Sequence, residues 1–278
     1  MDSLTAARET ATPIGDLGAR FMLDGAAYAR GAELGLPPGM GTYVLGRLGA
    51  LGDVDAETAV DAAFFWNPET IRSNWTPEDA SGSGVTSPSA AAVAYGQICA
   101  ERGREYLAGF EGAERLADLL GRVVDSADDT DAALFAGWRD LDRPSDATGR
   151  AYLLTQVARE LRFCRHTRAV RAAGADPLGM VLAKGGEGNA ALFGWTDLSP
   201  GPIDPETHEA IEAATDEASA ADLACLTDDE RSELVELVTV GHQADRRAVL
   251  DGDRHPALER HHPAHPIADL YGGDDRRR

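Results

Sequence analysis

The run from Arg159 to His166 places four basic side chains and one carboxylate within eight residues of a predicted helix. Apolar residues around the run form one stripe at helical spacing, and Glu160 lies at its edge, so we expect Glu160 to be half-buried. Arg159, Arg162 and His166 lie on the other side and face either water or the second wall of a cleft. The pattern fits proton transfer by Glu160 beside groups that bind an anion. A solvated basic face with a border glutamate in an ion pair is the more ordinary interpretation.

Two residues nearer the N-terminus extend this candidate site. Asp61 projects between apolar residues of a predicted helix, and we expect it to lie inside, like Glu160. Burial raises the pKa of a carboxyl group, whereas an adjacent arginine keeps it ionised. Arg47 lies between glycines in the segment 46–49, where small neighbours let another backbone approach, so it is a candidate anion ligand. The alternative for both carboxylates is an ion pair with a neighbouring helix.

The elements that must position these residues are helices. No segment alternates with a high density of β-branched residues, so the sequence predicts an all-α protein built from two helical halves. The predicted helices are 14–34, 40–51, 55–66, 89–125 with a break near Gly109 or Gly112, 147–174, 205–220 and 227–250. The glycine-rich residues 176–203 are predicted to be irregular. The predicted organisation is an N-terminal helical unit over 1–76, a loop or lid over 77–90, a helical domain over 91–250 and an extended tail over 251–278.

The excess of acidic over basic residues limits the kinds of molecule that the protein can bind. Lysine and arginine total 26 against 47 acidic residues, which gives a formal net charge of -21 at pH 7, and Lys184 is the one lysine. Such a field repels phosphate backbones, which argues against nucleic-acid binding. No apolar run approaches the roughly 20 residues of a membrane span, and no basic stretch followed by an apolar one opens the chain. We therefore expect a cytoplasmic protein with no membrane partner.

Motifs for metals and cofactors are weak. Cys99, Cys164 and Cys225 are far apart and odd in number, which argues against disulfides and zinc ribbons. The tail has four histidines at close spacing, but an extended, proline-rich segment supplies no supporting shell for a metal. The segment 184–189 is glycine-rich without Walker spacing, which favours a flexible connector. Neither a nucleophile elbow nor a dinucleotide fingerprint occurs, so we expect no metal and no cofactor.

Three blocks of sequence resemble an actinobacterial family described as SalK-type or helix-turn-helix-like. They are Gly46–Gly52, Ala63–Pro68 with Trp75, and Arg159–His166 followed by Ala172–Gly174. The resemblance spans roughly residues 15–240, and it implies a nearly all-helical chain of helix-turn-helix-like topology whose final helices dimerise. Through the second block, Asn67 and Trp75 join the substrate-binding candidates.

The chain departs from that family at two places. Leu161, Phe163 and Cys164 stand where members have a histidine, a glycine and an aspartate, which puts a shared ligand in doubt. Members of the family carry a winged helix-turn-helix-like segment after the second block. The corresponding segment of this chain, residues 190–205, is short and is interrupted by proline. Together with the net charge, this implies that DNA binding has been lost, or that the family label describes shape more than activity.

Two classes of function fit these observations. The first is a cofactor-free enzyme of specialised biosynthesis, with weak similarity to azabicycle-forming enzymes, that performs an elimination or ring closure on an anionic, amino-acid-derived substrate. The second is a ligand-sensing regulator that uses the same pocket without turnover. The catalytic candidates are Glu160 and Asp61, and the substrate-binding candidates are Arg47, Asn67, Trp75, Arg159, Arg162 and His166. The expected partners are a small anionic molecule and either a second copy of the chain or a small helper subunit.

Overall fold

The computed structural model describes residues 1–76, 85 and 87–252, with side chains described up to residue 243. Its helices are α1 (Ser3–Ala19), α2 (Gly25–Glu33), α3 (Met40–Leu48), α4 (Ala56–Ala62), α5 (Pro68–Asn74), α6 (Pro88–Tyr106), α7 (Ala113–Ser126), α8 (Ala133–Arg139), α9 (Ala147–Ala172), α10 (Pro177–Leu192), α11 (Pro205–Asp222) and α12 (Asp228–Gly252). No described residue belongs to a strand. The all-α prediction is confirmed.

Aspartates begin six of the described helices. Their side chains accept a backbone N–H at the starts of α1, α2, α4, α9, α10 and α11, from Asp2, Asp24, Asp55, Asp146, Asp176 and Asp204. A carboxylate there satisfies a backbone donor that the helix leaves unpaired, and it interacts favourably with the helix dipole. Part of the acidity of this chain therefore has a local structural cause.

Helix α9 lies at the centre of the fold. Its residues 151–158 are buried without interruption, because α1, α6, α7, α8 and α11 all pack around it. The hydroxyl of Tyr152 donates to the carbonyl of Leu17 at 2.7 Å, which ties α9 to the end of α1. A helix that is surrounded in this way has one fixed position. Its charged second half, from Arg159 onward, is thus held at a defined place.

Two hydrophobic clusters form the interior. The larger cluster extends from α1 to α12. The smaller one consists of Phe65, Val170, Leu178, Met180, Val181, Leu182, Ala190 and Ile211. Phe163 and Phe193 pack against both clusters. The region around these two rings is therefore the junction between the cores.

Two predicted N-terminal helices are too long. Instead of one helix over 14–34, α1 ends at Ala19, a 3-10 turn covers Arg20–Leu23, and α2 begins at Gly25. The break occurs because Asp24 is extended and caps α2 through a hydrogen bond from the N–H of Ala26. The helix predicted over 55–66 ends at Ala62. The predicted break near Gly109 is confirmed, and Gly109 has a φ of 76°.

The prediction of an irregular segment over 176–203 is wrong for most of its length. Residues 177–192 form α10, in which Gly186 makes a kink with a φ of 62° and a ψ of -160°. The predicted connector 184–189 therefore lies inside a helix. Asp176 and Pro177 start α10, and the burial of Leu178 and Val181 outweighs the low helix propensity of its glycines.

Parts of two predicted regions are not described. Residues 77–84 and 86 of the predicted loop or lid lie outside the described residues, while 88–90 belong to α6. Residues 253–278 of the predicted tail also lie outside them. The division of the chain into two helical halves stays a prediction.

Close packing of α6 on α9 depends on Gly103. A Cβ atom at that position would lie 2.2 Å from Cβ of Tyr152, whereas a Cβ at Gly188 in α10 would have no neighbour within 4 Å. We expect Gly103→Ala to lower the free energy of unfolding by about 1–3 kcal/mol through overpacking. Gly188→Ala should leave it unchanged or raise it by up to about 1 kcal/mol. Urea unfolding followed by circular dichroism measures both, and equal changes would contradict this account of the interface.

Candidate functional site

A buried ion pair joins α3 to α9. Arg47 donates from Nε to Oε1 of Glu160 at 2.8 Å and from Nη2 to Oε2 at 2.7 Å. The two side chains are 1% and 0% exposed. Glu160 is therefore fully buried rather than half-buried, because the side chain of Arg47 from α3 packs against its carboxylate. The paired geometry gives each carboxylate oxygen a charged donor.

Further donors surround the same carboxylate. Oε1 of Glu160 also accepts from Nε2 of Gln156 at 2.7 Å and from Nη1 of Arg159 at 3.1 Å. Nη1 of Arg47 donates to the hydroxyl of Tyr43 at 3.0 Å. Burial raises the pKa of Glu160, but the charge of Arg47 and these hydrogen bonds outweigh it and hold the pKa below its usual value. An ionised carboxylate with this many donors is poorly suited to accept a proton.

A cavity of about 630 Å³ lies where the two hydrophobic clusters meet. Its aromatic lining consists of Tyr28, Tyr43, Phe65, Trp66, Phe163 and Phe193. Its ionisable lining consists of Asp16, Arg47, Arg159, Arg162, His166, Lys184 and Glu212. Glu160 is not part of the lining. An apolar wall with a few polar groups and a volume of roughly 300–1,000 Å³ is typical of a site for a small organic molecule.

The charges are arranged with cations toward the cavity and two of their carboxylate partners behind them. Arg47 and Arg159 reach the cavity, whereas their partner Glu160 lies beneath the wall. Arg162 also reaches the cavity, and its Nη2 donates at 2.8 Å to Asp216, which does not line it. An anion that enters would therefore meet guanidinium groups before it met these two carboxylates.

His166 stands on the same wall as Arg162. Its ring stacks on Phe65 with centroids 5.4 Å apart, and its Nδ1 lies 3.0 Å from the hydroxyl of Thr215 on α11. Burial lowers the pKa of His166 to about 4; the charge of Glu212 opposes that shift, and Lys184 adds to it. The imidazole is therefore neutral at pH 7.

Four of the six predicted binding residues come together here, namely Arg47, Arg159, Arg162 and His166. Asp61 does not join them, and the expectation that it lies inside is wrong. Its side chain is 69% exposed and lies 2.7 Å from Nη2 of Arg171. The cause is the orientation of α4, which turns Ala59 and Ala63 inward and so leaves Asp61 toward solvent.

Asn67 and Trp75 are at the two ends of α5 and do not line the cavity. The side chain of Asn67 caps α5 by accepting from the N–H of Glu69 at 2.9 Å. Trp75 is buried, and its indole donates to the carbonyl of Val54 at 3.3 Å. Both residues serve the local fold, because a capping oxygen and a buried indole are satisfied by backbone groups beside them.

Three of the seven ionisable lining residues were missed by sequence analysis. Asp16 and Glu212 carry no signal, since carboxylates are abundant in this chain and neither lies in a motif. Lys184 does carry a sequence signal, because it is the single lysine among 26 cations. The glycines that follow it made a helix at this position hard to predict.

The structure was compared with the expectations on metals and membranes only over its described residues. Among the described residues, no group of three or more His, Cys, Asp or Glu side chains is placed to hold a metal ion. The histidines of the tail lie outside the described residues. Within the same part of the chain, every helix is too short or too polar to cross a membrane.

Comparison of the sequence with known protein families identifies one match. The profile of a helix-turn-helix family matches residues 7–199. That range begins within α1, includes α2 to α10 and covers more than half of the chain. No curated protein and no solved structure matches.

Removal of one member of the buried pair should destabilise the fold. Glu160→Gln leaves the charge of Arg47 buried without its counterion, so we expect the free energy of unfolding to fall by about 3–5 kcal/mol. The matched control is Glu57→Gln, which breaks an exposed pair with Arg72 and should change stability little. Chemical denaturation measures both. A Glu160→Gln variant as stable as the native protein would rule out a structural role for the pair.

The lowered pKa of His166 predicts a pH dependence of stability. The unfolded chain protonates this histidine near its ordinary value of 6.5, whereas the folded chain does so only near 4. Acidification through that window therefore favours the unfolded state, and the free energy of unfolding should fall as the pH drops from 6.5 to 4. Denaturation at several pH values should give a shallower slope in His166→Gln. Equal slopes would mean that His166 titrates normally.

Proposed function

Because the chain belongs to a helix-turn-helix family, and because its cavity presents cations between aromatic rings, we propose that it binds a small organic anion as a ligand-sensing protein. The observation that carries this proposal is the direction of the charges. Arg159 and Arg162 line the cavity, while Glu160 and Asp216 stand behind them. Guanidinium groups that are fixed in this way recognise a planar or tetrahedral anion with little loss of side-chain entropy.

The residues that line the cavity also indicate the chemistry of the ligand outside its anionic group. Trp66, Phe163 and Phe193 form an apolar surface that favours a ring or a branched hydrocarbon body. The anionic group is a carboxylate, sulfate or phosphate, since each accepts the paired hydrogen bonds that arginine offers. Lys184 brings a further cation from α10. The proposed ligand is thus an organic acid or ester with an apolar body.

A cofactor-independent enzyme of the lyase or cyclase type is a second candidate. The formal net charge of -21 favours it, since this charge opposes contact with a DNA duplex. The weak similarity to azabicycle-forming enzymes belongs to this candidate. Within it, Glu160 would position Arg47 rather than move a proton, because its oxygens already accept four hydrogen bonds from Arg47, Gln156 and Arg159. Assembly with a second copy or a small helper subunit stays a prediction in both cases.

A thermal-shift screen tests the binding proposal. The panel contains aromatic and aliphatic carboxylates, sulfate esters and phosphate esters, together with a DNA duplex from the region upstream of the coding sequence. A ligand at 100 times its Kd stabilises the native state by about 2.7 kcal/mol, which corresponds to a rise in Tm of roughly 5 °C for a chain of this size. Lys184→Met should reduce the shift, because Lys184 lines the cavity and is exposed enough to replace without loss of fold.

The control is Arg72→Met, which removes a cation from the outer surface of α5. It should leave the shift intact. A shift that both variants reduce equally would point to non-specific attraction and would contradict the proposal, as would a screen with no anionic hit. Mass spectrometry of each hit after incubation separates the two candidates, since a sensor returns its ligand unchanged and an enzyme converts it.

A further inference from the structure

The hydrogen bonds around His166 define which of its nitrogens carries the proton. The hydroxyl of Thr215 donates its one hydrogen to the carbonyl of Ile211, one turn earlier on α11, at 2.8 Å. With its hydrogen on that carbonyl, the hydroxyl turns a lone pair toward Nδ1 of His166, 3.0 Å away. This geometry assigns the proton to Nδ1, which leaves Nε2 of the neutral imidazole without a hydrogen.

Nε2 is also the nitrogen that solvent reaches. No described group forms a hydrogen bond with it. The buried polar atoms without a partner include Nε2 of His208 but not Nε2 of His166. Since His166 lines the cavity, its Nε2 is open to the cavity. We propose that His166 is a specificity-determining residue, whose bare Nε2 accepts a hydrogen bond from an N–H or O–H group of the bound molecule.

Electrostatics keep the ring in this state. The ionisable groups that act on it are Glu212, Lys184, Arg162 and His208, of which only Glu212 favours protonation. Burial is the largest cause of the lowered pKa of His166, and the charges of Lys184, Arg162 and His208 lower it further. Below the ring, Phe65 offers a stacked face and no hydrogen-bonding group. His166 therefore stays neutral throughout the physiological range and cannot act as a cationic anchor for the anion.

The inference rests on the proposed binding function. It narrows the ligand to an organic anion that also carries an amino, amide or hydroxyl donor for Nε2 of His166.

Nitrogen NMR on the full chain tests the tautomer without any ligand. Protein labelled with ¹⁵N-histidine is compared with His166→Gln to identify the ring signals of His166. We expect the Nδ1–H tautomer at pH 7, with no protonation until the pH approaches 4. Thr215→Ser retains the hydroxyl and should retain this tautomer, whereas Thr215→Val should lose it. A hydrogen on Nε2 in the native protein, or a tautomer that Thr215→Val leaves unchanged, would overturn the assignment.

Phenol and anisole probe the open acceptor on the same samples. The two molecules have similar size, but only phenol has a hydroxyl donor. Phenol should shift the Nε2 signal and bind with a Kd about threefold to tenfold lower than that of anisole, the range expected for one hydrogen bond. In His166→Phe this preference should disappear. Equal effects of the two probes, or no shift at Nε2 from either, would overturn the proposed acceptor.

The two proposals fail separately. If the NMR result holds and phenol is preferred, but the thermal-shift screen finds no anion, the binding of an anion is wrong and the acceptor role stands. If an anionic hit binds the native protein and His166→Phe with the same Kd, the acceptor role is wrong and anion binding stands.

Discussion

The buried pair of Arg47 and Glu160 is the constraint on which the rest of the structure depends. It joins residues 113 positions apart, and a charge taken out of water in this way is tolerated only if its partner is held in place. Glycines in the last turn of α3 and directly after it make the approach possible. A Cβ at Gly46 would lie 2.5 Å from Cγ of Tyr95, and one at Gly49 would lie 2.2 Å from the carbonyl oxygen of Pro88. With these side chains absent, α3 sits directly on α6 and turns Arg47 toward α9.

The cavity follows from the same arrangement. It lies between the two hydrophobic clusters, which remain separate. Phe163 and Phe193 pack against both of them. The guanidinium of Arg47 lies over the ring of Phe163, 4.5 Å from its centroid. Apolar surroundings reduce the screening of charge, so each cation on this wall acts more strongly on an anion than it would at the protein surface. The helices packed around α9 hold Arg159 and Arg162 at defined positions on this wall.

Local chemistry made much of this fold predictable. The spacing of Arg159, Arg162 and His166 at i, i+3 and i+7 puts them on one side of a helix, and they lie on one wall of the cavity. The glycine breaks near Gly109 and Gly174 follow from their positive φ. The position of Asp61 could not be read from its neighbours, because the rotation of α4 is set by tertiary packing. Helix α10 was hidden for a similar reason, since burial of one of its faces overrides the low helix propensity of four glycines.

Lys184 gives the chain an unusual chemical property. It is the only lysine in the 278-residue sequence, so its side chain carries the only ε-amino group. A reagent selective for ε-amino groups would modify a single atom, at the rim of the cavity and next to the kink at Gly186. A fluorophore, a crosslinker or a solid support can thus be attached beside the candidate site in the unaltered sequence.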